Sequence, residues 1–322
     1  MKLSVVTPLW QDRPAAENID VAINADRLGF SELWIGEMAT YDAFALATAA
    51  GSQTNDIALT IGPLAVSVRT PMTMAMGVAT VADLTGRQVQ LALGASSTVV
   101  VEEWHGQERA RTATHLAETA QIVRSLLDGE KVNFSGKMAS CNGYRLRLEA
   151  PGSPLTIAAF SPAAVRAAAR YADRMLLNMV TPQSLDRLRQ QMEAAANKAD
   201  KPIPKLAVWL TCAVDPQQQA IDQLMRAVVG YLAAPGYSDM IHEAGFSELV
   251  EFARTRPHPK KLLAAMPQTL MPAIGLVGTQ TEISSRLKEY EMAGADEVCL
   301  VPATAGDDGG LRTLSSLASL LS

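Results

Sequence analysis

The chain has 322 residues, 28 Lys+Arg against 33 Asp+Glu for a net charge of −5, and is 48% hydrophobic with 19% charged side chains. That is enough apolar material to bury a large core, which excludes global disorder, and the mixed, mildly acidic charge offers no basic face for a nucleic acid. Cys141, Cys212 and Cys299 are widely spaced with no CxxC pair, which excludes a disulfide scaffold and structural zinc and fits reduced thiols in a cytoplasmic protein.

Leu3–Thr7 reads as a first strand, cut off by Gln11-Asp12-Arg13 before it can form a secretory core. Pro14 suits a first helical turn, and Ala15, Ile19, Ala22, Ile23 and Leu28 recur at helical spacing up to Gly29. Leu33-Trp34-Ile35 is a second strand and 42–51 an alanine-rich helix; 57–61 is a third strand followed by helix 72–84. Val89–Leu93 is a fourth strand, with a long helix at 112–127. Residues 131–154 predict a β-excursion, with Val132-Asn133-Phe134 and Tyr144–Leu148 either side of Ser135-Gly136-Lys137. Leu155–Ala159, Arg174–Met179 and Lys205–Ala213 supply strands five to seven, separated by helices 163–171 and 184–198. Residues 214–272 carry helical fragments broken by Pro235-Gly236, Pro257, Pro259, Pro267 and Pro272. Thr279-Gln280-Thr281-Glu282 is a capping box opening a helix that ends at Gly294; Glu297–Val301 is the eighth strand, and a last helix runs to the C-terminus.

Eight short apolar strands alternating with helices predict a parallel sheet buried on both faces, and their number favours an α/β (β/α)8 TIM barrel over an open doubly wound sheet. No G-x-G-x-x-G follows the first strand, which lowers a dinucleotide fold further. No uninterrupted apolar run of about 18 residues predicts a membrane span. With no low-complexity linker, the expectation is a single domain over 1–322, with insertions after strands four and seven at about 95–154 and 214–272.

Barrel chemistry sits at the C-terminal strand ends. Those read Gly36-Glu37-Met38, Gly62-Pro63-Leu64-Ala65, Gly94-Ala95-Ser96-Ser97-Thr98, Ala158-Ala159-Phe160-Ser161-Pro162 and Asn178-Met179-Val180-Thr181-Pro182. Small residues let a ligand approach the backbone, and Ser161 capping a helix that starts at Pro162 suits a phosphate. Ordinary loop glycines and caps are the competing reading. Glu37 can accept a hydrogen bond, move a proton or simply form a salt bridge. The four histidines, 105, 115, 242 and 258, lie too far apart in sequence for HxH or HExxH spacing, so no metal is expected. His105, close behind the fourth strand end, is the histidine placed to meet a ligand. Arg254, Arg256, Lys260 and Lys261 are either a solvated face or a contact for an anionic cofactor tail.

Gly29-Phe30-Ser31-Glu32-Leu33-Trp34-Ile35-Gly36-Glu37 resembles the second-strand signature of the bacterial luciferase-like monooxygenase superfamily, as does Arg69-Thr70-Pro71 leading through 79–87 into Leu91-Ala92-Leu93-Gly94. Gly278-Thr279 and Ala293–Val298 are similar to its final unit. Gly94–Ser97 followed by Val99–Gly106, and Leu177–Pro182, resemble the branch that uses coenzyme F420, an 8-hydroxy-5-deazaflavin. The resemblance implies a ring supported on a bulge after strand three, at Gly62, Pro63, Leu64 and Ala65, often with a non-prolyl cis peptide. It implies further contacts from Gly94, Ala95, Ser96 and Ser97, from Phe160, Ser161, Ala163 and Ala164, and from Asn178. The sugar-phosphate dehydrogenases of the branch carry an acid–histidine pair and a strand-four glutamate where this chain has Glu37-Met38 and Ser97, so that activity is not expected. The resemblance thus implies F420-dependent hydride transfer to or from a small, hydrophobic organic substrate, with Glu37, a serine or solvent as proton source. The alternatives are an FMN-dependent monooxygenase fed by a flavin-reducing partner enzyme and a flavin-binding protein without turnover. A homodimer through helices 42–51 and 72–84 is also implied.

Overall fold

The computed structural model describes residues 1–37, 39–150 and 153–321; Met38, Pro151, Gly152 and Ser322 lie outside the described residues, so Met38 of the Glu37-Met38 pair has no structural account. In chain order the first strands and helices are β1 (Lys2–Val6), α1 (Ala15–Arg27), β2 (Glu32–Ile35), α2 (Ala43–Ser52), β3 (Ala58–Ala65), α3 (Pro71–Thr85), β4 (Val89–Gly94) and α4 (Thr112–Leu127). A hairpin of β5 (Val132–Ser135) and β6 (Ser140–Tyr144) follows, so the predicted excursion is real but its second strand ends at Tyr144. Then come β7 (Leu155–Ala158), α5 (Pro162–Tyr171), β8 (Arg174–Asn178), α6 (Pro182–Lys198) and β9 (Lys205–Val214). The segment after β9 holds α7 (Gln218–Val228), α8 (Tyr237–Glu243), α9 (Ser247–Arg254), α10 (Pro259–Ala265) and α11 (Leu270–Ile274). The chain ends with β10 (Leu276–Gly278), α12 (Gln280–Met292), β11 (Glu297–Pro302) and α13 (Leu311–Ala318).

Eight parallel strands, β1-β2-β3-β4-β7-β8-β9-β11, close into the predicted (β/α)8 barrel because β8 pairs with β9 and β11 with β1. The short strand β10, unforeseen in the sequence, adds to the far end of β9 at Cys212–Val214. Between helices and strands lies one layer of apolar packing, with Leu33, Ile35, Leu59, Ile61, Leu91 and Leu93 fully buried. The capping box at Thr279 and Glu282 forms as read. No helix among the described residues is long and apolar enough to cross a membrane.

The bore of the barrel is built in layers. At its N-terminal end Arg174 reaches across to Glu32 (Nη2–Oε1 2.7 Å) and Glu297 (Nη1–Oε2 2.6 Å), and also donates to Thr156, Thr60 and Gln90 on three further strands. Ser4 donates to Glu297 and Lys2 pairs with Glu32. Every group of this buried ionic layer has a partner, as burial requires. Above it Trp34 receives the Arg174 guanidinium on its ring face at 4.2 Å, donates from Nε1 to Glu297, and meets Trp209 edge-on at 5.7 Å. The alternation of the strands then places small residues above the tryptophans: Gly36 on the β2 end, Gly94 closing β4 and Ala158 closing β7.

Burial pushes the Glu32 carboxyl up, but the hydrogen bonds and charge of Arg174, joined by Lys2, outweigh that and hold it down at about 2. A carboxyl depressed by folding stabilises the fold in full above its ordinary range and loses that contribution as pH falls through the folded value. The urea midpoint is therefore expected to hold near neutrality and to fall as pH is taken from about 4.5 toward 2, with Glu32→Gln making that acid limb shallower. An unchanged acid limb in the variant would remove Glu32 from the account.

Candidate active site

Four consecutive strand ends, those of β3, β4, β7 and β8, form one rim at the C-terminal mouth. In β3 the register slips: Ile61 pairs with Leu91 but Leu64 with Leu93, so three steps on β3 match two on β4. The extra residue is a bulge at Gly62-Pro63, inside the strand rather than after it. The Gly62–Pro63 bond is cis, hence prolyl, which corrects the expected non-prolyl cis peptide. Gly62 sits at φ +116°, and a Cβ there would fall 2.2 Å from the Ala92 carbonyl oxygen, so only glycine fits. Leu64 turns into the core, while Pro63 and Ala65 stay half-buried at the rim. On β4, a Cβ at Gly94 would stand 3.0 Å from Pro63 Cβ and 3.9 Å from Ala158 Cβ, which brings three strand ends around one shallow cradle.

Ala95 is half-buried, and Ser96 and Ser97 are exposed beside the cradle. Ser96 adopts φ +55° and gives its carbonyl to Arg109 Nε at 2.9 Å; Ser97 Oγ accepts from Val100 N at 3.2 Å and starts a π-helical turn, Val99–Trp104. Left-handed non-glycine backbone and π turns both concentrate at functional sites. Met179, just past β8, has φ +50° as well. On the next strand end, Ser161 caps α5, with Oγ accepting from Ala164 N at 3.3 Å and Pro162 at the first helical position. Ala163 is half-buried, Ala164 is buried, and the amides of Ser96, Ser97 and Ala163 have no hydrogen-bond partner among the described residues. Two sets of donors and a helix dipole therefore face the same rim.

Phe160 and Asn178 are joined by a residue that sequence reading passed over. Tyr237, at the start of α8, accepts from Asn178 Nδ2 at 3.1 Å, stacks on Phe160 at 4.9 Å between ring centroids and on Tyr231 at 4.7 Å. Burial of its hydroxyl pushes the Tyr237 phenol up, with Tyr231 adding to the rise, so it is a neutral donor at physiological pH. The only hint in sequence was the Pro235-Gly236 break before it, which says where a helix starts and nothing of where it lands.

Glu37 is engaged in a different set of hydrogen bonds. Arg69 grips it through Nε (2.7 Å) and Nη2 (2.5 Å), Ala43 N donates to it at 3.1 Å, and Arg69 also pairs with Asp42 and lies over Phe44. Hydrogen bonds donated to the Glu37 and Asp42 carboxylates raise Arg69 above its ordinary range, burial opposing them. This is a clamp joining the β2 and β3 ends, built by the Arg69-Thr70-Pro71 segment. His105 is exposed at the end of the π turn, and Arg254, Arg256, Lys260 and Lys261 belong to α9, α10 and their junction, where Arg254 pairs with Glu251. A groove of about 880 Å³ on the barrel's outer flank, between α4, the hairpin and residues 201–205, contains none of the predicted site residues.

Residues 1–297 match the family model described as luciferase-like monooxygenase. A putative coenzyme F420-dependent oxidoreductase of Mycobacterium tuberculosis is 23% identical over 348 residues, spanning 98% of this chain and 99% of that one. Among solved structures, the coenzyme F420 dependent tetrahydromethanopterin reductase from Methanopyrus kandleri superposes with a TM-score of 0.85 at 18% identity, covering 99% and 98% of the two chains. The oxygenating constituent of 3,6-diketocamphane monooxygenase from Pseudomonas putida, solved with FMN, superposes with a TM-score of 0.71 at 16% identity, covering 100% and 97%. At these identities the structural likenesses speak for the fold alone.

Proposed function

The chain belongs to the luciferase-like monooxygenase family, whose members are oxidoreductases, and within it we propose that this protein uses the deazaflavin coenzyme F420 for hydride transfer to or from a small hydrophobic organic substrate. The observation that carries the reading is the cradle at Gly94, Pro63 and Ala158, where glycine keeps the rim free of a side chain that would crowd Pro63. When bound, such a ring supplies a carbon that gives or takes a hydride. The residues present fit it: the Gly62-Pro63 bulge would support the ring, and the free amides of Ser96, Ser97 and Ala163, with the Ser161-capped helix, would suit a phosphate on its tail. Asn178 and Phe160, on the next two strand ends, would add contacts and are held by Tyr237. Glu37 we assign to holding the rim in shape through Arg69.

The test is titration of the full-length protein with F420 and, separately, with FMN, followed by absorption and fluorescence. Saturable binding of the deazaflavin, and turnover of its reduced form with a neutral enone or aldehyde, is the expected result. Binding of FMN alone would replace this reading with that of a flavin-dependent oxygenase served by a separate reductase, and binding without any turnover would leave a carrier.

The outer face of α2 and α3 supports a homodimer. α2 has no charged residue and α3 only Asp83, whereas Met72, Met76 and Leu84 are exposed beside a groove floored by Gly77 against Phe44. A barrel helix ordinarily shows charge to water, so this face calls for cover by a second copy of the chain. Met76→Asp is expected to convert a dimer to a monomer in analytical ultracentrifugation. Wild-type protein sedimenting as a monomer would end this assignment.

A further inference from the structure

Three tryptophans surround the bore and its mouth, and two of them are satisfied. Trp34 Nε1 donates to Glu297 and Trp10 Nε1 to the Pro302 carbonyl, both at 3.2 Å. Trp209 is 6% exposed, yet its Nε1 has no acceptor. Two residues further along the inner face of β9, Thr211 is equally buried and its hydroxyl is also unpartnered. The other unpartnered buried side-chain atoms among the described residues, on Asn18, Arg87, Thr119 and Arg286, are scattered over helices and loops around the barrel. Leaving a polar atom buried and unpaired costs about 1–3 kcal/mol, so two in a row on one strand ask for a reason.

Their surroundings say what the reason is. Trp209 pairs in register with Asn178 and stands under Gly36, where a Cβ would lie 3.1 Å from its ring. Inner positions level with or above Trp34 include Val6, Ala158, Asn178, Val301 and glycines, all uncharged; the Arg174 layer lies below them and the Arg69 clamp outside. A carboxylate or phosphate entering here would be desolvated with no counter-charge. An indole N–H can only donate, and a threonine hydroxyl can donate alongside it. The complement is a neutral oxygen with two lone pairs.

We propose that Trp209 Nε1 and the Thr211 hydroxyl are the receptor for the carbonyl oxygen of an uncharged aldehyde, ketone or enone, the substrate class of the oxidoreductase reading on which this inference rests. Thr211 Oγ1 is closed in on one side by Gly275, where a Cβ would fall 2.8 Å from it, and Trp209 Nε1 is likewise shut off from the surface. The pair fixes which neutral molecules are held, while the rim above holds the cofactor.

The experiment follows the indole N–H signals of the full-length protein labelled in tryptophan, with Trp209→Phe identifying one of the four. Cyclohexenone and benzaldehyde are added, with benzoate as the charged control, first without and then with F420. The expected result is a saturable downfield shift confined to the Trp209 proton, absent with benzoate. Thr211→Val is expected to weaken that binding about tenfold while leaving F420 affinity unchanged. A Trp209 signal that neither carbonyl compound moves, or Trp209→Phe and Thr211→Val proteins that bind these probes as wild type does, overturns the inference. F420 titration is scored separately: its failure overturns the cofactor reading and leaves the indole result to stand or fall by itself.

Discussion

Replacing Arg174 by methionine is expected to cost the fold about 3–5 kcal/mol, enough to leave much of the protein unfolded at moderate temperature. The reason is geometric. Glu32 and Glu297 are 1% and 5% exposed in their side chains, and Arg174 is the cation that reaches both. Removing it leaves two carboxylates facing each other in a sealed bore, with Lys2 able to answer only Glu32. The triple variant Glu32→Gln, Arg174→Met, Glu297→Gln is expected to recover most of the loss, because it removes the charges with their partner. Urea unfolding followed by circular dichroism measures both. Arg254→Ala, which breaks the exposed pair with Glu251, serves as the control and is expected to change stability by no more than about 0.5 kcal/mol. Equal, small effects at 174 and 254 would mean that the bore is wet.

Gly94→Val is the second large effect, and it falls on binding instead of folding. The added side chain occupies the cradle between Pro63 and Ala158, and F420 affinity is expected to drop more than about a hundredfold, some 2.7 kcal/mol. The barrel below, from Leu93 down to the Arg174 layer, is untouched, so the circular dichroism spectrum should match wild type. Retained affinity in a folded Gly94→Val protein would move the ring away from the β3–β4–β7 rim. Gly62→Val is a poorer test, since its clash with the Ala92 carbonyl would disturb the sheet itself.

The barrel was legible because its signal is additive: eight apolar runs, each with a helix behind it, admit few closed arrangements. The Arg174 layer was not legible, although Glu32, Arg174 and Glu297 each stand at the start of a strand recognised in the sequence. A charge opening a strand reads as solvent-facing, and strands apolar on both faces hide which face is inside until the register is known. The bulge at Gly62-Pro63 was anticipated by resemblance, but its place within β3 depends on pairing with β4. Tyr237, Trp209 and Thr211 were missed for a further reason. Tyr237 arrives from a helix nearly sixty residues after Asn178 in the chain, and the other two are ordinary core residues by composition. What marks them is an unanswered hydrogen bond, a property that exists only in three dimensions.

The closed ionic layer has a kinetic consequence. A bore stoppered at one end has a single doorway, so whatever sits deepest must be first in and last out. If the substrate rests against Trp209 and the cofactor spans the strand ends above it, turnover cannot be random: the pair must load in a fixed sequence and unload in reverse. Product-inhibition patterns would then report the depth of each ligand without a crystal.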